Sequence, residues 1–238
     1  KAFPPLVEKQ VAQRLVSLYD TRTIVDGLLY PVDGFVGGGV VLSSGGWVAT
    51  YMPEYVKGSE KDWDVVDYQG TVYKVVTAVY DKESQLLFIQ IDGDGFRGDI
   101  AMVDSETLPY YSPLIGLGHN TSYPLVLDGM VQRDGKRVHD IFVTRYDHLL
   151  VGDAVSGDIV LTPGKGELVG FVGPKGTLID SRHIQQHIPS LFGNKTLYER
   201  PLSFFGYAID GYIKDDYFVK KQGFVITDIQ QTAGTSTM

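Results

Sequence analysis

Short alternating apolar runs, set off by turn residues, recur along most of the chain, and this pattern points to antiparallel sheet above any other architecture. The segment "GGGVVLSSGGWVAT", residues 37–50, reads as a strand, a Ser-Ser-Gly-Gly turn and a second strand. "WDVVDYQGTVYKVVTAVYD" reads as strand, Gln69-Gly70 turn, strand, and "LLFIQID" as a buried strand. "YPLVLDGMVQRDGKRVHDIFVTR" gives another pair turning at Asp134-Gly135, and "DIVLTPGKGELVGFVG" a hairpin over Pro163 to Gly166. Evenly spaced strands of this kind predict an all-β sandwich or barrel. The 28 glycines and 15 tyrosines fit a strand-rich chain with many tight turns.

Helix signals are few. "VEKQVAQRLVSL" is partly periodic near the start. "DSRHIQQHIPSLF" is clearer: Asp180 or Ser181 caps it, Ile184, Ile188 and Leu191 share a face, and Gly193-Asn194 closes it. Pro189 is expected to shorten that helix. The polar stretch "GNKTLYERPLS" is the expected boundary, leaving about forty residues beyond it, too few for an independent core.

Charge and composition exclude several classes. A formal net charge of −8 argues against a nucleic-acid partner, which needs a basic field, and against an anionic membrane surface. With no cysteine, a disulfide scaffold, a Cys-ligated zinc and a thiol nucleophile are all ruled out. No apolar run reaches the ~20 residues of a membrane helix. The opening "KAFPP" has neither an initiator Met nor a signal peptide, and is expected to have been cut from a longer precursor.

Four segments and a terminal helix, in order, resemble the protease domain of the HtrA/Deg family of trypsin-like serine proteases. "GGGVVLSSGGWVAT" is similar to the hairpin whose exit carries that family's catalytic histidine. "AVYDKESQLLFIQID" is similar to the segment bearing its catalytic aspartate, and "FVTRYDHLLVGDAVSGDIVL" to the strand and loop that lead to the serine of a Gly-x-Ser motif. "GKGELVGFVG" resembles the hairpin that follows, and "SRHIQQHIPSLF" the helix that ends the second barrel. The resemblance spans roughly residues 15–192, strong in order and spacing and weak in identity. It implies two antiparallel β-barrels of the trypsin kind within residues 1–197, barrel one over about 15–100 and barrel two over about 101–192. Residues 198–238 resemble a linker and the opening of a PDZ module, with Phe204-Phe205-Gly206-Tyr207 as its first strand.

Transferred one position at a time, the family's triad does not survive. The histidine position falls on Pro53 and the aspartate position on Gln85. Counting forward from "FVTRYDHLL" puts the nucleophile at Ala154, two residues after Gly152; counting back from "GELVGFVG" puts it at Ser156. The forward register keeps the glycine of the motif and is preferred. Proline carries no titratable group, and glutamine cannot stabilise an imidazolium, so even Ser156 lacks the base that acyl transfer requires. The resemblance thus implies a degenerate serine protease serving as a protein- or peptide-binding or scaffolding module of the cell envelope, needing no cofactor and forming a homo-oligomer, by family analogy a trimer. Tyr51, Tyr55, Tyr110 and Tyr111 are candidates for its binding surface, unless they pack within strands. The alternatives are an active, divergent endopeptidase using Ser156 and a purely structural subunit of an envelope assembly.

The remaining motifs carry less chemistry. Of His119, His139, His148, His183 and His187, only His148 lies near the nucleophile loop in sequence, following Asp147. His183 and His187 are spaced to share a helix face, but two ligands make a poor metal site, and they read as solvent-facing. "DGDGFRGD", Asp92 to Asp99, lacks the ligand series of a calcium loop and reads as a glycine-rich turn. Asn120-Thr-Ser and Asn194-Lys-Thr match the glycosylation pattern.

Overall fold

The computed structural model describes residues 9–23, 34–82, 84–93, 96, 100–119, 121–138, 141–194, 204–214 and 217–229. Residues Lys1–Gly129 with His148–Leu197 form one compact unit, and Met130–Asp147 with Tyr198–Met238 a second.

The first twelve strands form two six-stranded antiparallel barrels, with Met130–Asp147 of the eighth and ninth strands counted in the second unit. Strands β1 (Leu15–Asp20), β2 (Phe35–Val41), β3 (Trp47–Tyr51), β4 (Trp63–Asp67), β5 (Val72–Asp81) and β6 (Leu86–Ile91) close in the order β1-β2-β3-β6-β5-β4. Strands β7 (Pro113–Gly118), β8 (Thr121–Val138), β9 (Ile141–Val151), β10 (Ile159–Leu161), β11 (Leu168–Val172) and β12 (Leu178–Asp180) follow in the order β12-β11-β10-β7-β8-β9. An antiparallel bridge from Leu149 on β9 to Thr177, just before β12, draws the two ends of this second sheet together. The expected double-barrel, all-β, trypsin-like fold is what the chain adopts.

Strict alternation along the strands explains how two barrels share one core. Val41, Val48, Leu87 and Ile89 point into the cluster inside barrel one, while their neighbours Val40, Trp47, Ala49, Leu86 and Phe88 enter a different cluster. Barrel two repeats the arrangement: Val160, Val169 and Val172 fill its own interior, and Ile159, Leu161, Leu168 and Phe171 join that same second cluster. The shared cluster therefore lies where both barrels meet, and strands buried on both faces read as continuous apolar runs. Ile184 and Leu191 extend it, which accounts for the apolar face of the terminal helix.

That helix is split. Helix α1 (Lys9–Ala12) precedes β1, and α2 (Arg182–Gln185) and α3 (Ile188–Asn194) follow β12. Pro189 stands in the first turn of α3, where its missing N–H and fixed φ are harmless. Asp180 acts as the cap, its Oδ1 accepting the Arg182 N–H at 2.7 Å, while the Ser181 hydroxyl turns away to the Val103 carbonyl at 2.9 Å. Two expectations require correction. The helical period read over residues 7–18 holds for a single turn only, because Leu15–Asp20 pairs with β2 and β4 as strand β1. The turn expected at Asp134-Gly135 is absent: β8 runs unbroken from Thr121 to Val138.

In the second unit, β13 (Phe204–Lys214) and β14 (Tyr217–Ile229) form a two-stranded antiparallel sheet, with register shifts after Phe205 and Ile209. The remainder of residues 198–238, which the sequence likened to a PDZ opening, together with His139, Asn120 and most of Asp92 to Asp99, lies outside the described residues.

Candidate functional site

Three strand ends define the mouth of barrel one. Register places Tyr51 of β3 beside Leu86 of β6, and Leu86 beside Asp81 of β5. Gln85 precedes β6 in a left-handed conformation, φ 60°, uncommon for a residue with a side chain. Two contacts hold it there. Its carbonyl accepts the Met52 N–H at 2.9 Å, and its Oε1 accepts the Tyr51 hydroxyl at 2.7 Å. The backbone bond to Met52 brings Gln85 close to the neighbouring Pro53. Pro53 sits exposed in the turn after β3, its carbonyl 3.5 Å from the Tyr80 hydroxyl.

Aromatic packing fixes that turn. Tyr51 is buried, 3 % exposed, with its hydroxyl already engaged. Tyr55 is half-buried, its ring 5.0 Å from Tyr80 and 6.2 Å from Trp63, and its hydroxyl donates to Glu60 Oε2 at 2.6 Å. Burial pushes the Tyr55 phenol upward, and the bond to Glu60 adds to the rise. Burial pushes Glu60 up as well, but hydrogen bonds from Tyr55 and from backbone N–H groups outweigh it and leave the carboxyl below its usual range. Tyr110 and Tyr111 are 56 % and 73 % exposed, and Tyr111 has φ 64°.

Beside this mouth stands a cluster that sequence reasoning missed. Asp81 Oδ2 accepts the Ser84 hydroxyl at 2.5 Å and lies 3.1 Å from His187 Nε2. The His187 ring also meets Phe88 edge-on, with centroids 5.6 Å apart. His187 is therefore packed between α2, α3 and β6 and does not face solvent as expected; its side chain and that of Asp81 are each 15 % exposed. His183 is exposed. The i, i+3 spacing of Asp81 and Ser84 was the available signal, since a short polar pair at that spacing closes a turn. Although Ser, Asp and His all occur, both Ser84 and His187 address the same carboxylate oxygen. The array ties turn to helix and presents no serine to a base. Among the described residues, no group of three His, Asp or Glu side chains is arranged to hold a metal.

The loop after β9 carries both nucleophile positions. Gly152 has φ 138°, and Ala154 packs half-buried against the interior of barrel two. Residues 155–158 form a tight turn closed by the Asp158 N–H on the Val155 carbonyl at 3.1 Å, with Gly157 at φ 97° supplying the positive φ that its third position requires. Ser156 stands exposed at the second position of this turn, and its hydroxyl makes no hydrogen bond to another described residue. His148 is buried in the second barrel at 9 % exposure, and its Nδ1 has no partner among the described residues. No hydrogen bond among the described residues joins this loop to Pro53 or Gln85.

Comparison with known proteins gives the fold and no more. No family model matches the chain, and no curated protein matches it by sequence. Among solved structures it is similar to the HtrA-type protease AlgW, determined with a decapeptide, at a TM-score of 0.57 and 14 % identity, over 93 % of this chain and 77 % of that one.

Proposed function

We propose that this chain is a trypsin-fold protein that binds a protein or peptide partner and does not cleave it. The solved neighbour is a protease, so the fold by itself argues for neither activity nor its loss. One observation carries the reading: whichever of Ala154 and Ser156 is the nucleophile position, no histidine among the described residues bonds to it, and the position resembling the base holds Pro53. A serine without a base and its orienting group keeps only the ~10³–10⁴-fold acceleration over water that an oxyanion hole and binding provide.

A peptide is the natural class of ligand, because the neighbour was determined with a decapeptide and a cleft that no longer cuts can still bind. A cell-envelope location, homo-oligomerisation and a PDZ-like role for residues 198–238 accompany this reading, as does a division near residue 197. The test is incubation with an unfolded casein substrate alongside isothermal titration of peptides from a separate tryptic digest of the same casein. Binding without turnover is the expected result. Turnover that disappears in Ser156→Ala would establish the divergent endopeptidase instead, and neither binding nor turnover would favour a structural subunit.

A further inference from the structure

The turn that carries Ser156 is held from beneath by a single phenol. The Tyr123 hydroxyl accepts the Val155 N–H at 3.3 Å and donates to Asp158 Oδ2, so one oxygen bridges the first and last residues of the turn. Two glycines of β7 make room for the pair. A Cβ on Gly116 would lie 2.4 Å from the Tyr123 ring, and one on Gly118 would lie 2.8 Å from Asp158 Oδ2. Both face the same way along the strand, opposite Tyr123 and Thr121 of β8. Backbone bonds from the Gly157 N–H to the Val172 carbonyl, and from the Val172 N–H to the Asp158 carbonyl, fix the downstream end at 2.8 Å each. Among the described residues, hydrogen bonds hold the upstream half of the turn only through the phenol and the turn's own bond.

We propose that Tyr123 and Asp158 form an acid-sensitive clamp that sets the conformation of the Ser156 turn. With Asp158 ionised, the O–H···O⁻ bond is charge-assisted and roughly twice as strong as a neutral one. Protonation of the carboxylate removes that assistance, weakens the phenol's hold and releases the Val155 N–H. Burial raises the Asp158 carboxyl above its usual range, against the opposing effect of the Tyr123 bond, so the change falls at a milder acidity than for an exposed aspartate. The titratable groups acting on the pair are Tyr123 and Asp158 on each other and the exposed Asp153 of the same loop. Because the buried neutral acid is tolerated, the turn loosens while the barrels stay folded. The clamp does not depend on whether Ser156 reacts, since it acts on the backbone that presents it.

Residue-resolved amide exchange, corrected for intrinsic rates, tests this on the full chain between pH 7 and pH 4. In the unaltered protein the protection of the Val155 amide falls about tenfold across that range, while Ile89 and Phe171 in the barrel cores stay protected. Tyr123→Phe, which keeps the ring over Gly116, lowers Val155 protection at every pH and abolishes the pH response. Asp158→Asn keeps the side-chain shape and makes the response flat. A Val155 protection indifferent to pH in the unaltered protein, or a response that survives in Asp158→Asn, overturns the clamp.

Discussion

Replacing His187 by Ala removes the strap between the helix and the mouth of barrel one, and its cost follows from two contacts. The bond to Asp81 has a carboxylate acceptor and a partly buried setting, for which about 1.5–3 kcal/mol is the usual loss. The edge-on contact with Phe88 adds roughly 0.5–1.5 kcal/mol. Together they give about 2–4 kcal/mol. Asp81→Asn keeps the shape but loses the charge, and because both changes act on one interaction their effects are not additive. The double variant is therefore more stable than the sum of the singles predicts, with a coupling of about 1–2 kcal/mol. Trp47 and Trp63 both lie buried in barrel one, so their fluorescence in urea reports the affected barrel. With a slope of ~1–3 kcal/mol/M, the midpoint of His187→Ala drops by about 1–2 M. A drop worth less than ~0.5 kcal/mol, or singles that simply add, would refute the assignment of His187 as a strap.

Three further outcomes can be checked by denaturation. Asp158 has its folded-state titration raised, so the fold binds its proton more tightly than the unfolded chain does; the associated stability is present at low pH and is lost as pH rises from the ordinary aspartate value through the raised one. Urea midpoints of the unaltered protein should show that decline as pH rises above the ordinary aspartate value of about 4, and Asp158→Asn should remove it. Phe171→Ala empties a fully buried site in the cluster shared by the barrels and should cost about 3–5 kcal/mol in calorimetry or urea melts. Tyr51→Phe leaves Gln85 Oε1 without its donor and should cost about 1 kcal/mol, with faster exchange of the Met52 amide than in the parent.

The barrels were legible because alternation is enforced along strands such as β2, β3, β6, β10 and β11. Val40/Val41 and Leu87/Phe88 each divide between an internal and a shared cluster, so both faces had to be apolar. The hairpins at Gly70 and over Pro163–Gly166 announced themselves through residues that turns demand. Two segments misled for opposite reasons. The period over residues 7–18 is fit for a helix, yet Val16 and Leu18 pack inside barrel one, and tertiary pairing overrode local propensity. Asp134-Gly135 is a common turn pair, yet the strand passes through it. At the site, the neighbourhood of Pro53 and Gln85 follows from the pairing of β3 with β6, which the sequence alone does not supply. The Asp81–Ser84–His187 cluster was not legible either, because it joins residues 106 positions apart whose meeting depends on how a helix docks on a barrel. The Tyr123–Asp158 clamp was hidden likewise, its trace in sequence being only two small residues, Gly116 and Gly118, facing a tyrosine and an aspartate.

The central claim, a serine-protease fold without serine-protease chemistry, rests on an unassisted Ser156. Intact-mass measurement after exposure to a fluorophosphonate at neutral pH tests it most directly, because that reagent modifies a serine only where a base and an oxyanion site activate it. No mass increase is expected over the time in which an active serine protease is fully labelled. A stoichiometric adduct mapped to Ser156, absent in Ser156→Ala and absent from the denatured protein, would contradict it.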